Sequence, residues 1–89
     1  MYIPNSFTPN DDERNQIFKV YGNGIVSLEV RIFNRWGQEI FMFADINAGW
    51  EGQTVSGVLC PQDTYVYRVN VLDVLNKTHQ YTGMVNLIR

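Results

Sequence analysis

The run Asn10-Asp11-Asp12-Glu13-Arg14-Asn15 is the densest group of side-chain oxygens in the chain. Calcium takes several oxygen ligands from alternating loop positions. Counting from Asn10 gives Asn10 and Asp12, and then Arg14, whose cation breaks the series. Counting from Asp11 gives Asp11, Glu13 and Asn15, without a glycine for the sharp turn. Asn10, Asp12 and Asn15 therefore form a calcium candidate that ranks behind a solvated turn, in which Asp and Asn bond to their own backbone.

Catalytic groupings are sparser. His79 is the single histidine, which excludes a two-histidine metal site and an H-E-x-x-H helix. A Ser-His-Asp triad would need His79 with Ser6, Ser27 or Ser56, and none of these serines lies in a G-x-S-x-G elbow. Gly22-Asn23-Gly24 lacks the third glycine and the following helix of a phosphate loop. Cys60 is alone, so no internal disulfide forms, and a small buried hydrophobe is expected there. Asn76-Lys77-Thr78 matches the N-glycosylation sequon, but a hairpin turn accounts for the triplet. No enzyme and no cofactor is expected.

The aromatic residues leave one open question. In IFNRWGQEIF, residues 32–41, two apolar runs flank Arg35-Trp36-Gly37-Gln38. Gly37 can supply the positive φ of a tight hairpin. Trp36 shares parity with Leu28, Val30 and Ile32, so it is expected to cap the core, with Arg35 pointing to water. Trp36→Ala is then expected to cost more stability than Arg35→Ala. The alternative is a sugar platform built from Trp36 and Trp50, with Tyr65 or Tyr67.

The elements that must hold these residues are strands. In LEVRIFNRW and TYVYRVNVLDV apolar and polar residues alternate, the period of a half-buried strand. IFKVYG and YTGMVNLIR are shorter versions, and Val, Ile, Phe, Tyr and Thr dominate all four. Breakers recur at 22–24, 36–38, 47–53, 61–63 and 75–79. Strands are expected near 2–4, 17–22, 25–35, 39–44, 54–59, 64–73 and 79–88. That pattern predicts an all-β fold, an immunoglobulin-like antiparallel β-sandwich of about seven strands, with a small barrel as the alternative.

Eighty-nine residues make one small domain, over 1–89. At 45% hydrophobic and 18% charged it has the composition of a folded chain. A net charge of −2 leaves no basic excess for phosphate, so no nucleic-acid partner is expected. No apolar run is long enough to span a bilayer as a helix, so no membrane insertion is expected. Residues 1–10 contain two prolines and no apolar signal-peptide core. Met1 runs directly into what reads as a strand entry, so a piece excised from a longer protein is expected.

Five landmarks occur in order: IPNSFTPNDDERNQIF, IFNRWGQEIF, GWEG, PQDTYVYRV and TGMVNLIR. Together they span the chain, which resembles the gliding-motility-associated C-terminal domain of Bacteroidetes, the type B sorting domain of the type IX secretion system. That family reads P-N-x-F-T-P-N-G-D-G-x-N-D-x-F, F-N-R-W-G, W-D-G, P-x-G-x-Y-x-Y and G-x-x-x-L-I-R. The signature falls on Pro4, Asn5, Phe7, Pro9, Phe18, Asn34, Arg35, Trp36, Gly37, Trp50, Gly52, Pro61 and Tyr65. Asp11, Glu13, Gln16, Glu51 and Asp63 depart from it, and the first three weaken a metal-loop role.

The resemblance implies a non-catalytic sorting domain at the end of a secreted or cell-surface protein. Its partners would be the outer-membrane secretion machinery and an upstream passenger domain in the same chain. Val85, Leu87, Ile88 and Arg89 form a candidate recognition strand, open to strand addition or else simply filling the core. A surface adhesion or carbohydrate-binding module is the competing function.

Overall fold

The structure, a computed structural model, describes residues 1–9 and 17–89. The calcium candidate Asn10, Asp12 and Asn15 lies outside the described residues.

The chain is all-β. Its strands are β1 (Ser6–Phe7), β2 (Ile25–Phe33), β3 (Glu39–Phe43), β4 (Asp63–Asp73) and β5 (Thr78–Leu87). All five lie in one sheet of order β1-β5-β4-β2-β3. The β2–β3, β2–β4 and β4–β5 pairs are antiparallel, and only the short β1 runs parallel to its neighbour, β5.

Alternation works as the pleat requires. Leu28, Val30 and Ile32 of β2, Tyr65, Val69 and Val71 of β4 and Val85 and Leu87 of β5 are all buried on one face. Cross-strand rows such as Phe43–Val30–Val69 fix the register, because a one-residue slip would turn these side chains outward. Tyr67 shares that face and lies over Gly83. A Cβ on Gly83 would come within 2.4 Å of the Tyr67 hydroxyl, so the close approach requires glycine there.

Of the seven expected strands, those near 17–22 and 54–59 do not form. The segment at 17–22 contributes two isolated bridges, Phe18–Trp50 and Tyr2–Tyr21, and 53–59 contributes only Gln53–Leu59. Nor does 2–4 form a strand; the short β1 follows it instead. For 54–59 the reason is visible in the side chains. Val55, Val58 and Leu59 are exposed, so β-prone residues there have no buried face to organise them. Gly57, at φ 90°, folds the segment into a turn in which the Thr54 and Gly57 amides donate to the Val58 and Thr54 carbonyls.

The sheet's buried face is therefore covered by irregular chain. Phe18, Val20, Trp50 and Cys60 supply the covering layer, packed with Phe7 of β1. Its centre is aromatic: Trp50 lies 5.2 Å from Phe7 and packs edge-on to Tyr65 at 5.1 Å, while Phe18 lies 5.6 Å from Tyr67. Tilted and edge-on geometries at these separations are the favourable ones for aromatic pairs. Phe18 and Trp50 exchange both backbone hydrogen bonds at 2.9 Å, which locks the loop bearing Trp50 to the N-terminal segment.

Candidate functional site

The IFNRWG stretch forms the tip between β2 and β3, and Asn34 builds it. Its backbone N–H donates to the Gln38 carbonyl at 2.9 Å, and its own carbonyl accepts from Gly37 at 3.0 Å. Its side-chain oxygen accepts from the amides of Trp36 and Gln38, both at 3.0 Å, and its side-chain nitrogen donates to Gln38 Oε1. Asn side chains imitate a turn in this way. Gly37 sits at φ 80°, a conformation that costs an L side chain about 1–2 kcal/mol.

The result corrects the expectation for Trp36. The indole is 76% exposed and caps nothing. The register shifts between Ile32 and Phe33, and the chain turns at Asn34, so parity cannot be carried from Ile32 to Trp36. Arg35 does point outward, but it is held: Nη2 donates to Asp63 Oδ1 at 2.6 Å, and its guanidinium lies 5.6 Å from the Trp36 ring. The Arg35 hydrogen bond, together with the Thr64 amide, holds the Asp63 carboxyl below the ordinary carboxylate range. In the sequence Asp63 stands where the resembling family carries glycine; at the start of β4 it lies within hydrogen-bond reach of the turn.

Next to the tip, the outer sheet face carries a row from Phe33 through Val66 to Met84. Arg68 stacks over Phe33 at 5.4 Å. Phe33, Val66, Arg35, Arg68 and Thr82 line a shallow cleft of about 270 Å³. Trp36, Arg35 and this cleft make one surface with an aromatic, cationic and apolar character.

The remaining signature residues serve the fold. Phe7, Phe18, Trp50 and Tyr65 are in the core. Trp50 Nε1 donates to the Gln53 carbonyl at 2.6 Å. The Tyr65 hydroxyl donates to the Pro61 carbonyl at 2.7 Å, and burial pushes its pKa up to about 12. The Asn5 carbonyl accepts from the Asn86 amide at 2.9 Å, and Pro4 and Pro9 are half-buried. Trp50 and Tyr65 are therefore not available beside Trp36 as a stacking platform.

The candidate recognition strand divides. Val85 and Leu87 are fully buried, and the Ile88 amide donates to the Phe7 carbonyl of β1. Ile88 is exposed. Arg89 reaches back, its Nε donating to the Cys60 carbonyl at 2.8 Å and Nη2 to the Gly52 carbonyl at 3.1 Å. This clamp had no signal in the sequence. Cys60 is buried, which pushes its thiol pKa up and leaves it a poor nucleophile.

His79 is exposed and hydrogen-bonds to Asp73 Oδ2 at 2.8 Å. A carboxylate only accepts, so the ring N–H is the donor. Ser27 lies near His79 along a shallow depression, yet register puts His79 in line with Leu28, so the two point to opposite faces. Among the described residues no three His, Cys, Asp or Glu side chains converge on a metal position, and no helix is long and apolar enough to cross a membrane.

The family profile described as CHU_C type IX secretion signal domain matches residues 1–87. The chain belongs to this family. No curated protein matches it at a comparable level. In this type IX secretion signal domain Trp36 stands outside the core, while Phe7, Phe18, Trp50 and Tyr65 are part of it.

Proposed function

We propose that this domain is a folded, non-catalytic address that directs an upstream passenger across the outer membrane, to the cell surface or the medium. The outer-membrane type IX machinery reads it. The observation that carries the proposal is the family match over nearly the whole chain. The tip supports it. Asn34, Gly37 and the Arg35–Asp63 pair fix a turn whose one large apolar side chain, Trp36, contributes nothing to the core. An exposed indole on a fixed turn is a common anchor for a partner protein.

The irregular covering layer is best read as a reduced second sheet of an immunoglobulin-like sandwich. The isolated bridges Tyr2–Tyr21, Phe18–Trp50 and Gln53–Leu59 support that reading.

The test is a fusion of this domain to the C-terminus of a periplasm-directed fluorescent reporter, in a bacterium with an active type IX system. The reporter is expected at the surface or in the medium, and it stays in the periplasm when the machinery is deleted. Equal export with and without the machinery would overturn the assignment.

A further inference from the structure

The two long edges of the sheet are treated differently. β3 is short, begins with Glu39, which is ion-paired to Arg31, and its Ile40 carbonyl accepts from Val55 of the neighbouring loop. Charge and a covering loop are two of the usual protections of a sheet edge. Among the described residues β5 has neither over most of its length. β1 covers it only at Asn86 and Leu87. Residues 78–88 contain no Lys, Arg, Asp, Glu or Pro. The β4–β5 ladder runs from Leu87 to Thr78 with no bulge.

Backbone direction follows from the contacts to β1. The amides of Asn86 and Ile88 point toward β1. N–H and C=O groups alternate sides along a strand. Met84, Thr82 and Gln80 therefore aim theirs away from β4, and among the described residues nothing bonds to them there. Thr78, His79, Gln80 and Thr82 make this edge polar but uncharged apart from the histidine, and each face carries one exposed apolar side chain. Met84, 65% exposed, ends the outer row from Phe33 and Val66, and Tyr81, 38% exposed, ends the inner row from Val30 and Val69.

We propose that the β5 edge from Thr78 to Met84 is the docking site of an extended, uncharged segment of the secretion machinery, added to the sheet as a further strand. This rests on the sorting function above. The segment takes up the backbone groups of Gln80, Thr82 and Met84 and sets apolar side chains beside Tyr81 and Met84. A second copy of this chain is a poorer occupant. Seven residues of edge are about 24 Å long and sheet packing is about 10 Å deep, which gives on the order of 240 Å² per partner. A stable pair of globular partners needs about 800 Å² each. A flexible strand from a larger machine has further surface with which to engage, including the Trp36 tip.

The test uses the same reporter fusion with Gln80→Pro, Thr82→Pro and Met84→Lys. Proline removes an N–H that no described residue uses, and a sheet edge tolerates it. Met84→Lys changes an exposed side chain, so it keeps the fold if a proline does not. Far-UV circular dichroism and urea midpoints identify the variants that fold as wild type. The wild-type fusion is expected to be exported; each folded proline variant should lose up to about tenfold, the loss of one hydrogen bond, and Met84→Lys should lose export by setting a charge against an apolar side chain. Wild-type export from folded variants would overturn the edge assignment alone. Failure of the wild-type fusion itself would remove the sorting function and the edge with it. A stable dimer of the isolated domain in sedimentation, dissolved by Thr82→Pro, would assign the edge to a second copy and overturn the proposal.

Discussion

Trp36 and Trp50 are the same residue type, each next to or near a glycine with positive φ, and they have opposite fates. Trp50 is fully buried, bridged to Phe18 through the backbone and packed on Phe7 and Tyr65. Trp36 is 76% exposed on a turn to which it gives only its backbone amide, not its side chain. The difference is what surrounds the indole's backbone. An irregular loop can be laid flat on a sheet face, whereas a hairpin tip projects beyond the last buried row. An aromatic residue in a signature is therefore not by itself evidence of packing.

Substitutions can break this contrast. Trp50→Ala should have the largest effect, about 3–5 kcal/mol of lost stability in urea denaturation, because it opens a cavity under the covering layer. Gly37→Ala should cost about 1–2 kcal/mol through φ strain alone, since open space lies where its Cβ would go. Asn34→Ala should cost about 1 kcal/mol by releasing the amides of Trp36 and Gln38 to water. Trp36→Ala should stay within about 0.5 kcal/mol of wild type while lowering export of the fusion. A large stability loss from Trp36→Ala would erase the contrast.

The pH dependence sharpens it. Asp63, hydrogen-bonded by Arg35, and Asp73, hydrogen-bonded by His79 and the Lys77 amide, both titrate below the usual carboxylate value in the folded chain. Each contributes stability above the unfolded carboxylate pKa. That contribution is lost as pH falls through the lowered, folded value. Asp63→Asn should flatten part of the acid limb of stability against pH, and Arg35→Ala should flatten the same part. An unchanged acid limb would mean that the tip is not anchored through Arg35.

The sheet was legible because β2, β4 and the core end of β5 bury one face, and burial enforces a period of two. Leu28, Val30, Ile32, Val69, Val71, Val85 and Leu87 all follow it. Alternating burial was not sufficient by itself: Phe18 and Val20 are buried alternately within 17–22, yet that segment makes only isolated bridges. Residues 54–59 are β-prone but exposed, so composition pointed to a strand that packing does not make. Trp36 escapes the parity of Leu28, Val30 and Ile32 because a bulge and a turn intervene. Trp50 has no periodic signal at all, and its burial comes from bridging residues more than thirty positions away in sequence, which alternation cannot report. The Arg35–Asp63 and Arg89–Cys60 links are likewise long-range and invisible to local pattern.

The most direct test is acrylamide quenching of tryptophan fluorescence in Trp36→Phe against wild type. The variant retains only Trp50, so its emission should be blue-shifted and nearly immune to quencher, while the wild type shows a second, readily quenched component at longer wavelength. A wild type with no accessible component, or a variant as quenchable as the wild type, would contradict the division between a packed and a displayed indole.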